Sequence, residues 1–234
     1  MRKHAAPGDK ILGYGLEILH EDRDIIVVNK PAGLKTIATE GDKERNAYYI
    51  LLDYVRKGAV KSRNRIYVVH RLDRDTTGVL IFAKSEEAKM KLQDNWKNTR
   101  KQYLAVVHGK LEKKADTITN YLAENSIHVV YQTPNSSEGK LASTAYQVIK
   151  ETKLYSLLKI DLLTGRKNQI RVHMAGIGRP IVGDRMYGDK KDKQPRMALH
   201  ARSIAFAHPY NGKPMAFTAE TPGFFKTLVG EFEG

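Results

Sequence analysis

Short apolar runs separated by polar turns dominate this chain. Ile25-Ile26-Val27-Val28 is a β-branched run that stops at Lys30-Pro31-Ala32-Gly33, where proline and glycine end a strand and form a turn. The period then changes: over Asn46 to Arg56, residues Ile50, Leu51, Tyr54 and Val55 fall on one side of a helix. Arg65 to Val69 and Gly78 to Ala83 read as two strands joined by the polar loop His70 to Thr77. Ser85 is placed to cap a following helix whose first turn holds Glu86 and Glu87, suited to the positive helix end. Ala88, Leu92 and Trp96 line its apolar face.

Lys101 to His108 returns to strand. Ala115 to Leu141 carries little pattern and, around Pro134-Asn135-Ser136-Ser137, predicts a hairpin or an insertion. Ala142–Ile149 and Leu154–Leu163 look like paired strands, and Gly165 to Gly178 is a basic loop running into a short helix. His200 to Ala207 predicts a late strand, and Phe224 to Phe232 a terminal helix. Strands outnumber helices without regular strand–helix–strand alternation. That predicts an α+β domain on a mostly antiparallel sheet flanked by helices and loops. No linker or repeat interrupts the chain, so one domain is expected.

Charge adds a partner to this picture. Lys and Arg number 40 against 26 Asp and Glu, a net +14, and a field of that sign draws polyanions. Nucleic acid is the favoured polyanion; surplus lysine for solubility is the plainer alternative. A membrane is disfavoured, because no segment forms a basic amphipathic anchor and nowhere do 18 apolar residues run together. Cysteine is absent, which excludes disulfides, thiolate metal sites and cysteine nucleophiles. Met1 to Lys10 is polar and lacks the apolar core of a signal peptide. A soluble, cytoplasmic monomer is expected.

The densest chemistry lies in His70-Arg71-Leu72-Asp73-Arg74-Asp75-Thr76-Thr77-Gly78. Arginines at −2 and +1 favour an ionised Asp73, which could act as nucleophile or base. An ordinary surface turn with Asp–Arg pairs explains the same residues. A metal held by His70, Asp73 and Asp75 is opposed by the adjacent arginines.

The loop resembles the signature of the RluA-type family of pseudouridine synthases, usually HRLDxxTSG. Four further blocks are similar and in order. They are Asp24 to Gly33 (the KPAG block), Lys101 to Val107 (the tyrosine strand), Gly165 to His173 continuing through Pro180 to Asp184 (GRTHQIRVH…HPIVGD), and Ala198 to Ala201. The likeness covers roughly residues 16 to 228. Thr77 replaces the usual serine, Asn168 a common histidine, and Arg179 a frequent histidine.

The resemblance implies a single pseudouridine synthase catalytic domain over 16–234, with its cleft across the sheet. Residues 1–15 would be an extension too short to form the small RNA-binding domain many relatives carry. It implies Asp73 as nucleophile on sugar or base, Tyr103 as the group stacking on the target base, and Arg171 as the counter-ion of the aspartate. Arg71 would fill the space left by an extruded uridine, and Lys30, Lys101, Arg166, Lys167 and His173 would hold phosphates. The substrate would be a stem-loop of ribosomal or transfer RNA, with no cofactor and no metal. Two other readings stay open: a metal-dependent nuclease using Asp73, Asp75 and Asp184, and an RNA-binding protein without chemistry.

Overall fold

A computed structural model of the chain describes residues 10–38, 46–59 and 61–232; most of the expected N-terminal extension lies outside them. Two compact units make up the fold: Met1–Thr99 with Ser203–Glu220, and Arg100–Arg202 with Thr221–Gly234.

In the first unit, β1 (Lys10–Leu12), β2 (Leu16–Glu21), β3 (Ile25–Lys30) and β5 (Thr77–Ala83) are antiparallel neighbours in that order. The short β4 (Tyr67–Val68) also pairs with β5. Ile25, Ile26, Val27 and Val28 are all fully buried, as are Leu80, Ile81, Phe82 and Ala83. Both strands are therefore covered on both faces, which is why they read as unbroken apolar runs rather than alternating ones. Each such side chain contributes about 1.5–3 kcal/mol on burial. Ile25, Val27, Val79 and Ile81 form a core with Ala88 and Leu92 from α2 (Glu86–Asp94). The Ser85 hydroxyl accepts the Ala88 amide at 3.1 Å, capping that helix as its sequence predicts. Trp96 falls just past the helix, in a 3₁₀ turn, and packs on the same core from there. Helix α1 (Ala47–Arg56) starts at Asn46, whose side chain accepts the Tyr49 amide at 3.0 Å. The unit is completed by the last part of β11 (Leu199–Ala207) and by β12 (Pro214–Thr218), paired antiparallel.

In the second unit, β6 (Arg100–His108), β10 (Tyr155–Leu162), β9 (Lys140–Glu151), β7 (Ala115–Glu124) and β8 (Val130–Thr133) form an antiparallel sheet in that order. The patternless stretch before Leu141 is thus a hairpin. Leu104, Val106 and Leu157 pack against Phe225 and Val229 of α4 (Gly223–Val229). Alternation along β6 puts Tyr103 on the opposite face from that helix. Val172 of α3 (Gln169–Gly176) packs with Leu122, Val130 and Ala142. The fold is α+β with mostly antiparallel strand pairing, as the strand count predicts. Among the described residues, no helix is long and apolar enough to cross a membrane.

Candidate active site

The loop between β4 and β5 is held by its backbone. Lys30 stands opposite Gly78 in the β3–β5 register, so the Lys30-Pro31-Ala32-Gly33 turn and the Asp73 loop share one end of the sheet. Thr36 joins them: its hydroxyl donates to the Leu72 carbonyl at 2.9 Å and accepts the Leu72 amide at 3.1 Å. Thr36 is itself fixed by α1, since the first-turn amides of Ala47 and Tyr48 donate to the carbonyls of Lys35 and Thr36 at 2.9 and 3.1 Å. These amides have no partner inside a helix, so they are free for this work. On the other side of Asp73, the Gly33 amide donates to the Arg74 carbonyl at 2.9 Å, and the Thr76 amide closes a turn on the Asp73 carbonyl at 3.2 Å. His70 accepts the Ile81 amide on Nε2 at 3.1 Å, with its ring 4.7 Å from that of Trp96. Asp73, partly exposed, is therefore carried on a backbone fastened at the residue before it and the residue after it.

Lys30 is the main fastener. It is fully buried, and its amine donates to the carbonyls of Pro31, Leu34 and Arg74 at 2.9, 2.7 and 2.9 Å. Burial pushes the amine down to about 7, against the opposing pull of the Asp75 and Asp73 charges. Below about 7 the amine carries three protons, one for each of these acceptors. Lys30 is consequently not a surface cation for phosphate, correcting the sequence reading.

The arginines flanking Asp73 divide differently from the sequence expectation. Arg74 pairs with Asp75 at 3.2 Å, and Arg71 is exposed. With His70 engaged by an amide and Asp75 by Arg74, the metal reading of this loop loses two of its three ligands.

The second unit holds Tyr103 and Arg171. Tyr103 is nearly buried in β6, opposite Ile160 of β10. Arg171, on α3, is gripped by Asp184: Nε meets Oδ2 at 2.7 Å and Nη2 meets Oδ1 at 2.8 Å. Nη1 donates to the Asn168 carbonyl oxygen at 3.1 Å, and the guanidinium lies 4.9 Å from the centre of the Tyr187 ring. Asn168 in turn donates to the Tyr187 hydroxyl at 3.0 Å. Burial pushes the Asp184 carboxyl up, but the Arg171 hydrogen bond and charge, with amides of Tyr187 and Met186, hold it below its usual value. Asp184, Asn168 and Tyr187 thus position Arg171; the sequence reading gives Asp184 a role only in the nuclease alternative, notes Asn168 only as a departure, and does not name Tyr187. Tethered this way, Asp184 is not a nuclease metal ligand.

Of the other expected phosphate contacts, Arg166 and Lys167 are exposed and Lys101 is partly covered, its amine lowered by burial. Lys167 already meets Glu124 at 2.6 Å. His173 is fully buried with Nε2 on Asn120 at 2.9 Å, and burial pushes it down to about 4. A neutral, enclosed imidazole cannot serve a phosphate, so that assignment is also corrected.

One group among the described residues has metal-like spacing: Asp22, Asp24 and His208. Nδ1 of His208 accepts the Tyr210 amide at 3.2 Å, which leaves the proton on Nε2, donated to Asp22 at 3.0 Å. A metal at Nε2 would need the other tautomer. The cluster ties the β11–β12 connection to the β2–β3 turn instead.

The described residues thus place a tethered aspartate loop on an α+β scaffold within a strongly positive chain. Residues 24–176 match the model of the family described as RNA pseudouridylate synthase. An uncharacterized RNA pseudouridine synthase of Mycoplasma genitalium is 35% identical, covering 92% of this chain and 69% of its own. The ribosomal large subunit pseudouridine synthase D of Nitrosomonas europaea is 36% identical over 92% of this chain and 64% of its own. The chain thus spans about two thirds of the length of these relatives. Human RNA pseudouridylate synthase domain containing 4 shares the fold, with TM-score 0.73 at 24% identity over 89% of each chain. The chain belongs to the RNA pseudouridylate synthase family and is, with it, an isomerase.

Proposed function

We infer that this enzyme converts uridines of structured RNA to pseudouridine, with Asp73 as the nucleophile. The Asp73 carboxylate bonds to sugar or base as the ribose–N1 bond breaks; the base turns, the ribose bonds to C5 and the carboxylate is released, while C5 gives up its proton and N1 gains one. It consumes no redox equivalent and no phosphate, so no cofactor is called for. The observation that carries the assignment is the backbone fastening on either side of Asp73, at Leu72 and Arg74. Such a hold keeps a carboxylate in one place while a large substrate comes and goes. Tyr103 is assigned to stack on the target base, and Arg171 to support the reacting carboxylate. Taking a uridine out of its stack costs a few kcal/mol, and the exposed Arg71 is assigned to fill the gap. Arg166, Lys167 and Lys101 remain as phosphate contacts. The relatives named for the ribosomal large subunit favour ribosomal RNA over transfer RNA as substrate.

Tritium release from 5-³H-uridine-labelled large-subunit ribosomal RNA tests this reading. Asp73→Asn should abolish release while RNA affinity stays within about threefold, because only the chemistry is removed. Release near the wild-type rate would overturn the assignment, and metal-dependent cleavage of the RNA without tritium release would favour the nuclease.

A further inference from the structure

Five cations of the second unit, Arg185, Lys190, Lys191, Lys193 and Arg196, have no part in the reading above. Residues 183 to 197 leave the fold and return to it at one point. The Val182 carbonyl accepts the Ala198 amide at 2.8 Å, the Ala198 carbonyl accepts the Val106 amide at 3.0 Å, and the Val106 carbonyl accepts the Val182 amide at 2.9 Å. A surface loop with touching ends has the form of an Ω-loop.

Its interior is over-determined. Gly183 has φ +77°, and a Cβ there would lie 1.9 Å from the Arg196 carbonyl oxygen. At Gly188 a Cβ would lie 2.1 Å from the Asp184 carbonyl oxygen. The two backbones approach so closely that only glycine fits. All three acidic residues of the stretch are consumed internally. Asp184 grips Arg171 and accepts the amides of Met186 and Tyr187 at 2.9 and 3.0 Å. Asp189 accepts the Lys191 amide at 2.8 Å. Asp192 takes His108 Nε2 at 2.7 Å, the Gly183 amide at 2.6 Å and the Gln194 amide at 2.8 Å.

The cations are treated oppositely. Arg185, Lys190, Lys191, Lys193 and Arg196 are all exposed. Among the described residues, none of these five side chains is tied by a hydrogen bond or an ion pair. A loop that spends its carboxylates on its own shape and leaves its cations unspent presents fixed positive charge to solvent.

We propose that residues 183–197 form a rigid basic strap that docks the phosphate backbone of the RNA substrate. The inference rests on RNA being the substrate and adds where the backbone is held. A row of separated cations on a fixed loop suits a ligand with regularly repeated negative charge. The strap also carries Asp184 and Tyr187, two residues that hold Arg171.

The test compares two triple variants of equal charge. Lys190→Gln/Lys191→Gln/Lys193→Gln removes strap cations; Lys97→Gln/Lys140→Gln/Lys153→Gln removes exposed lysines elsewhere. Binding to a fluorescently labelled fragment of large-subunit ribosomal RNA is measured from low to high salt, with melting temperature as the folding check. The strap variant should lose about 2 units of slope in log K against log salt, since each phosphate contact contributes roughly 0.7–0.9. It should bind at least about tenfold more weakly at low salt, while turnover at saturating RNA stays within about twofold of wild type. The control should keep the wild-type slope. A strap variant with the wild-type slope, or a control that loses as much, overturns the proposal. Tritium release by the wild-type enzyme is read separately. Its absence would count against the proposed activity and leave the slope comparison to decide the strap.

Discussion

The amine of Lys30 donates to the carbonyl of Arg74 at 2.9 Å, so a fully buried lysine fastens the residue that follows Asp73. Lys30→Met takes one donor from each of three carbonyls, of which Arg74 keeps the Gly33 amide, at a cost of roughly 1–3 kcal/mol, and loosens the loop. The turnover number should fall at least about tenfold, while RNA affinity barely changes, because the defect lies in positioning.

The same lysine predicts a dependence on pH. Its folded value near 7 lies below the ordinary 10.5, so between these the unfolded chain binds the proton more tightly. Stability from this site therefore rises with pH across that window. Urea midpoints at pH 7 and 9.5 should show wild type gaining on Lys30→Met; a constant difference would mean the amine is not depressed.

Asp184→Asn removes the charge that grips Arg171. Taking one partner from a nearly enclosed ion pair costs on the order of 3 kcal/mol. Turnover should fall with it. The Asp184 carboxyl is held below its ordinary 3.8, so its stabilisation is present above that value and is lost as pH falls through the folded one. In urea titrations the gap between wild type and variant should close below about pH 4.

His173 contributes a second acid-sensitive step. The ring is neutral in the fold down to about 4 but takes a proton at 6.5 when exposed. Acidification between these values favours the unfolded chain, and His173→Gln should remove that part of the pH dependence. Equal sensitivity in both proteins between pH 6.5 and 4 would contradict the burial.

Gly183→Ala forces a side chain into a left-handed backbone and onto the Arg196 carbonyl. The conformational cost alone is about 1–2 kcal/mol, before the clash is counted. Lower thermal stability and a shallower salt dependence of RNA binding should appear together.

Local features made the central strands and the aspartate loop legible. Ile25 to Val28 and Leu80 to Ala83 are covered on both faces and declare themselves as apolar runs, and Ser85 announces its helix by capping chemistry. The edge strand Pro214–Thr218 did not declare itself, because it opens on proline and pairs along one side with β11. Lys30 was read as a surface cation because nothing local shows that three carbonyls close around it. The grip of Asp184 on Arg171 spans a helix and a turn, and Thr36 reaches Leu72 across 36 residues. Such partners become visible only when the chain has folded.

The hydroxyl of Thr36 and the amine of Lys30 act on main-chain atoms of Leu72 and Arg74, never on a loop side chain. The outward-facing side chain at 74 can therefore be exchanged without displacing the backbone that carries Asp73. A lineage of such enzymes could change its targets while inheriting its chemistry intact.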